Sequence, residues 1–222
     1  MKRVFIILLL AVVLLASTAQ AYTDTDLANM STDELLALRA EINNEIAARY
    51  EPPVIEEGKT LIEIFPDEYL AKLIRDEIGL FSTKDQVSQD KLDKITKIWI
   101  LNSDKGIKTI EGIQYLRNLE YLYIRFQESL HDIPEEIGSL QKLKIVEFGY
   151  SKIKSIPDSF CNLVNLEKLE LYHTDIDSLP NDIGNLQSLK ELNIGCTNIK
   201  ELPASIYNLQ LEEFGREGLD LD

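Results

Sequence analysis

The C-terminal half of the chain repeats one pattern of apolar positions. Pro134, Pro157, Pro180 and Pro203 stand 23 residues apart, and the same apolar frame returns around each. Ile133, Ile156, Leu179 and Leu202 precede the prolines, Ile137, Phe160, Ile183 and Ile206 follow three places on, and Leu140, Leu163, Leu186 and Leu209 close each copy. Then comes a strand pattern with one buried face: Leu143, Val146 and Phe148; Leu166, Leu169 and Leu171; Leu189, Leu192 and Ile194. A period of this length predicts a solenoid, in which one coil cannot bury its apolar side chains alone and stacked coils share a continuous core. Each proline should begin a short helical or 3-10 turn, where its missing N–H goes unused. Glu135, Glu136, Asp158 and Asp182 stand where such a turn favours negative charge.

The segments spell LxxLxLxx(S/T)xIxx(I/L)PxxIxxLxx, a leucine-rich repeat. The expected fold class is α/β: a leucine-rich-repeat solenoid with a parallel sheet on the concave face, short helical or 3-10 turns on the convex face and a helical N-terminal cap. The chain divides into a signal peptide over 1–21, an amphipathic helix within 22–50, a linker over 51–61, the cap over 62–94 and the repeat domain over 95–222. In the amphipathic helix, Ser31 and Glu34 make a capping box, Met30 and Leu35 a hydrophobic staple, and Pro52-Pro53 a stop. Leu35, Leu38, Ile42 and Ile46 share one face, suited either to packing on the end of the solenoid or to self-association. In the cap, Pro66 starts a helix buried through Leu70, Leu73, Ile74 and Ile78, Gly79 ends it, and Ser88 caps a second short one. A cap is needed because the end of a solenoid exposes an apolar layer and an unpaired strand edge. At the other end Leu211 and Phe214 begin another coil. Either Phe214, Leu219 and Leu221 fold over the last layer, or a second subunit covers it.

The stretches VSQDKLDKIT and TIEGIQYLRNLEYL, with Glu111 in the slot where later coils carry proline, resemble the N-terminal cap and first repeat of internalin-like bacterial surface proteins. The likeness covers roughly residues 62 to 124. Beyond it the coils take the longer proline-bearing form, and the slot of the family's ladder asparagine holds Gln127, Ser151, Thr174 and Thr197. Hydroxyls there can still bond turn backbone. The resemblance implies a secreted or surface bacterial protein that recognises another macromolecule.

The first residues, MKRVFIILLLAVVLLASTAQA, combine a basic start, an apolar run from Val4 to Ala16 and small residues before Tyr22: a secretory signal peptide, with an uncleaved anchor as the alternative. The expected product is extracellular, with neither a lipid-bearing cysteine at the cleavage region nor a C-terminal anchor. The chain holds 23 basic and 38 acidic residues, a net −15, and loss of the leader with Lys2 and Arg3 leaves 21 against 38, a net −17. Such a surface repels phosphate, which argues against nucleic acid and anionic membrane as partners.

Candidate chemistry is sparse. Cys161 and Cys196 fall on different sides of the coil and predict two free thiols, Cys161 buried. A column at the strand exits runs Phe126, Tyr150, His173, Cys196; its last two members could form a thiol–imidazole pair, but no orienting carboxylate accompanies them. No metal, cofactor or phosphate-binding motif is present, and Asp85 and Asp90 do not match a calcium loop, so an enzyme is not expected. Function falls to the outward residues of the strands. Trp99, Tyr121, Tyr123, Arg125 and Ile145 form the mix enriched at protein interfaces, with Glu147, Glu170, Tyr172 and His173 following. The expected partner is a protein, or a cell-surface glycan whose rings stack on Trp99, Tyr123 and Tyr172. Stacking between neighbouring strands is the alternative reading of the same aromatics.

Overall fold

The computed structural model describes residues 52–101 and 106–219, with Asn29, Met30, Ser31, Glu34 and Leu38 upstream. The chain separates into two units, Met1–Tyr50 and Glu51–Asp222. In the first, Ser31 N–H donates to Glu34 Oε2 at 2.7 Å and Glu34 N–H to Ser31 Oγ at 3.2 Å, which completes the expected capping box. The leader over 1–21, the staple partner Leu35 and the stripe residues Ile42 and Ile46 lie outside the described residues.

The second unit is the solenoid. Six parallel strands stand side by side in chain order: β1 Lys97–Leu101, β2 Tyr121–Arg125, β3 Ile145–Glu147, β4 Lys168–Glu170, β5 Glu191–Asn193 and β6 Glu213–Gly215. Inward and outward residues alternate along each, so Ile98, Leu122, Val146, Leu169 and Leu192 form one buried row. The core runs unbroken from Ile55 to Leu209.

The opposite side is built of 3-10 turns at Ile113–Tyr115, Glu135–Ser139, Asp158–Asn162, Ile183–Asn185 and Ala204–Asn208. The prolines serve here as acceptors: the carbonyls of Pro134, Pro157, Pro180 and Pro203 take the N–H of Ile137, Phe160, Ile183 and Ile206 at 3.0–3.1 Å. The first turn, which lacks a proline, bends at Gly112 with φ +90°, and an added Cβ there would lie 2.1 Å from the carbonyl oxygen of Ile64 in the cap. The ladder slots work as hydrogen-bonding posts. Gln127, fully buried, accepts Ile107 N–H at 2.9 Å and donates to Arg125 O at 2.8 Å. Ser151 Oγ accepts Gln127 N–H at 3.3 Å, and the Thr174 and Thr197 hydroxyls donate to Leu171 O and Ile194 O at 2.8 Å each.

The cap consists of α1 Leu61–Ile64, α2 Glu68–Glu77 and α3 Gln89–Leu92. Helix α2 begins after Asp67 rather than at Pro66: Asp67 is the N-cap and accepts Tyr69 N–H and Leu70 N–H. Its other oxygen accepts Lys108 N–H at 2.8 Å, which ties the helix to the first coil. Ser88 occupies the N-cap of α3 without a side-chain capping bond. Helix α1 is opened by a capping box between Thr60 and Glu63, and Ile55 just upstream is buried, its N–H donating to Gln89 Oε1 at 3.1 Å. A second tie joins cap and repeats: Arg117 donates to Asp93 through both Nε, at 3.0 Å, and Nη2. At the far end β6 pairs with β5, and Leu211, Phe214 and Leu219 pack half-buried on the last layer; Leu221 lies outside the described residues. Among the described residues, no helix is long and apolar enough to cross a membrane.

Candidate functional site

The register of the sheet sorts its outward residues into columns about 4.8 Å per step. One runs Lys97, Tyr121, Ile145, Lys168, Glu191, Glu213, and its neighbour runs Trp99, Tyr123, Glu147, Glu170, Asn193, Gly215. A third begins Leu101, Arg125 and continues beyond the short strands through Gly149, Tyr172 and Gly195.

Aromatic rings concentrate on the first coils. Trp99, 57% exposed, stacks on Tyr123 with ring centroids 4.7 Å apart, and Tyr123 lies parallel to Tyr121 at 6.5 Å. The cap leaves Trp99 open. Lys97 Nζ sits 4.6 Å from the Tyr121 centroid, so each end of this stack carries an exposed group. Burial raises the Tyr123 hydroxyl above the usual phenol range, with Glu147 adding to the effect. The two readings of these aromatics therefore coexist: the rings stack on one another and still present a surface.

A second aromatic group stands at the strand exits. Phe126, Tyr150, His173 and Cys196 all adopt left-handed backbone, φ 53° to 59°, which turns each residue out of the sheet. Their amides stay paired: Phe126, Tyr150 and His173 donate to the carbonyls of Gly149, Tyr172 and Gly195 on the next coil. Outside, Phe126 stacks on Tyr150 at 4.8 Å, Tyr150 meets His173 at 5.2 Å, and Tyr172 meets Tyr150 edge-on at 5.5 Å. Phe126 and Tyr150, absent from the expected contact residues, thus belong to the surface, and the signal was their recurrence in the exit column, 24 residues apart, with His173 one coil further on.

Arg125 joins the two groups. Its guanidinium lies 5.6 Å from the centroids of both Phe126 and Tyr150, and Nη1 is 3.6 Å from Glu147. Gly149 lies beside it: an added Cβ would stand at ordinary contact distance, 3.7 Å, from Arg125 Nε, but only 3.2 Å from Tyr172 O on the next coil. Nε itself is buried without a hydrogen-bond partner.

The carboxylates of the later coils are largely engaged with their neighbours. Glu147 also pairs with Lys168 at 3.3 Å, and Lys168 with Glu191 at 3.3 Å. Glu170 accepts Tyr172 N–H at 2.8 Å and Asn193 Nδ2 at 3.1 Å. Ile145 lies half-buried between Tyr121 and Lys168. The structure thus gathers all nine expected contact residues, Trp99 to His173, on one side of the molecule, the last at the exit edge.

Both thiols are free, Cys161 buried and Cys196 half-buried. The neighbouring Cys196 thiol pushes the Tyr172 hydroxyl up to about 12, with Tyr150 adding to the effect. The thiol thus has a phenol partner, while the His173 ring lies against Tyr150 and Tyr172. Among the described residues, no group of three or more His, Cys, Asp or Glu side chains is placed to hold a metal ion.

Comparison with known proteins agrees with this architecture. Residues 46–93 match the model of the bacterial adhesion/invasion protein N-terminal domain, and residues 117–176 and 158–211 match leucine-rich-repeat models. Over 56 residues, 25% of this chain and 10% of the relative, the sequence is 45% identical to Internalin H of Listeria monocytogenes. In fold it is similar to an internalin (inlF) of L. monocytogenes, with a TM-score of 0.50 and 24% identity over 70% of this chain and 57% of that one. The functional domain of InlJ from the same species, which includes a cysteine ladder, aligns with a TM-score of 0.61 and 19% identity over 75% of this chain and 35% of that one. The chain therefore spans between a tenth and somewhat over half of these relatives' own lengths. Joined to the internalin-type N-terminal match, the stacked parallel coils make this chain an internalin-like bacterial leucine-rich-repeat protein, of a fold that commonly serves as a protein-interaction module.

Proposed function

We propose that the chain is a secreted bacterial binding module that recognises a protein partner through the outward face of its sheet. The observation that carries this reading is the exposed stack of Trp99 on Tyr123 and Tyr121, with Arg125 beside it. Aromatic rings and arginine next to aliphatic Leu101 and Ile145 are the composition of interface hot spots. The polar neighbours favour a protein over a glycan. A sugar needs free hydrogen-bonding groups beside the ring, whereas Glu147 and Glu170 are occupied by Arg125, Lys168 and Asn193, and Tyr123 covers one face of Trp99. Secretion rests on the leader over 1–21 and on the likeness to bacterial adhesion proteins. In this reading residues 95–222 form the recognising domain and 62–94 its cap.

The test uses Trp99, the single tryptophan. Titration of the mature chain with a cell-surface protein extract should give a saturable change in its fluorescence that protease treatment of the extract abolishes. Tyr121→Ala combined with Tyr123→Ala should remove it. Saturation by purified cell-wall polysaccharide instead would establish the glycan reading, and a response untouched by the double substitution would discard this face.

A further inference from the structure

We infer that the exit ridge of Phe126, Tyr150 and His173 is a second contact surface, which takes basic side chains, guanidinium above all, from the same protein partner; this rests on the reading of the sheet face as protein-binding. The ridge is exposed, with Phe126 at 46% and Tyr150 at 36%, and its rings form an unbroken series. The backbone does not call for aromatics there. Positive φ is the conformation glycine adopts without strain, so large rings at three successive left-handed positions are not explained by the turn they occupy. The core does not call for them either, since the rings point out of it.

The chemistry of a partner follows from what the ridge already holds. Arg125 rests 5.6 Å from the centroids of Phe126 and Tyr150 on the sheet side, which shows the ring faces accepting a guanidinium. Along the third column no lysine or arginine follows Arg125, and the nearest cations are engaged, Lys168 with Glu147 and Glu191, Lys152 with Asp175 and Arg216 over the Phe214 ring, while Glu170 stands beside Tyr172 and exposed Glu217 beyond it. With a net charge of −15 on the whole chain, an approaching cation is favoured and an anion repelled. The ridge and the Trp99 stack meet at Arg125, so one partner can reach both.

A random-peptide display library selected on the purified chain tests this. Enriched peptides are expected to carry arginine or lysine, and each is then titrated against the parent chain and against Tyr150→Gly, Phe126→Gly and Trp99→Ala. Glycine removes the ring while keeping the left-handed backbone, and the urea midpoint of each variant confirms that it is folded. Weakening of about tenfold in the two glycine variants, and a similar weakening when the peptide's basic residue becomes glutamine, is the expected result. Peptides without basic residues, or glycine variants that bind like the parent while Trp99→Ala does not, would overturn the ridge and leave the sheet face standing. Binding unaffected by all three substitutions would remove both.

Discussion

Among the described residues, four hold a backbone conformation that their side chains resist. Left-handed φ costs an ordinary L-residue about 1 kcal/mol or more, and Phe126, Tyr150, His173 and Cys196 all adopt it. Ring stacking returns roughly 0.5–1.5 kcal/mol at Tyr150, which has Phe126 on one side and His173 on the other. The two effects nearly offset, and they can be separated. Tyr150→Ala keeps the strain and loses the rings, so it should be less stable than Tyr150→Gly by about 1 kcal/mol, the reverse of the order on ordinary helix or strand positions. Urea unfolding of the pair checks this; an alanine variant as stable as the glycine variant would mean that the turn relaxes. The column itself was legible as four residues in one repeat slot, but its conformation was not. Glycine and asparagine announce positive φ, and phenylalanine, tyrosine and cysteine do not. The pairing of Glu147 and Glu170 was hidden for a related reason: it depends on side chains reaching across strands, and the alternation of a strand specifies only which face they share.

At the level of elements, the join between cap and repeats is polar as well as apolar. Gln89, buried at the start of α3, donates to Asp93 Oδ1 at 2.7 Å and to Tyr115 O at 2.8 Å, while Arg117 holds both oxygens of Asp93. The bond from Arg117, with that from Gln89, holds the Asp93 carboxyl below its usual range against a desolvation effect of opposite sign. A depressed folded value means that the unfolded chain takes up a proton first as pH falls. The contribution is therefore complete above the unfolded value near 4 and disappears as pH drops through the folded one. Asp93→Asn should destabilise by about 1–2 kcal/mol at pH 7, where a charge-assisted bond is lost, and the gap between variant and parent should narrow at pH 3. Urea midpoints at the two pH values measure it, and a constant gap would assign the loss to packing instead. The two longer features of the cap were readable: the buried face of α2 and its end at Gly79 follow from spacing. Helix α1 was not, because four residues after a proline- and glycine-bearing stretch show barely one turn of periodicity, and the burial of Ile55 depends on Gln89, 34 residues away.

Across the whole molecule, each coil touches only its neighbours, and such arrays can unfold in pieces. The present solenoid is short and closed at one end by α1–α3, and its core is a single cluster from Ile55 to Leu209. Opening any interior interface would expose two apolar layers at once, since Val146, Leu169 and Leu192 are all buried between the coils on either side. That cost favours one transition over several. The order of the six strands was legible from the period, whereas this coupling depends on how completely the layers seal. Two reporters in different coils can measure it. Trp99, on β1, reports the first coil through its fluorescence. Cys161 reports the turn Asp158–Asn162: burial, with Asp182 and Asp158 nearby, pushes its thiol up to about 12, so in the folded chain it is both shielded and protonated and should resist alkylation. In a Cys196→Ser background, the urea dependence of pulse alkylation at Cys161 should coincide with the fluorescence transition of Trp99. Cys161 becoming reactive at clearly lower urea, with Trp99 still native, would show that the proline-bearing coils open before the capped end and that the array is held together only pair by pair.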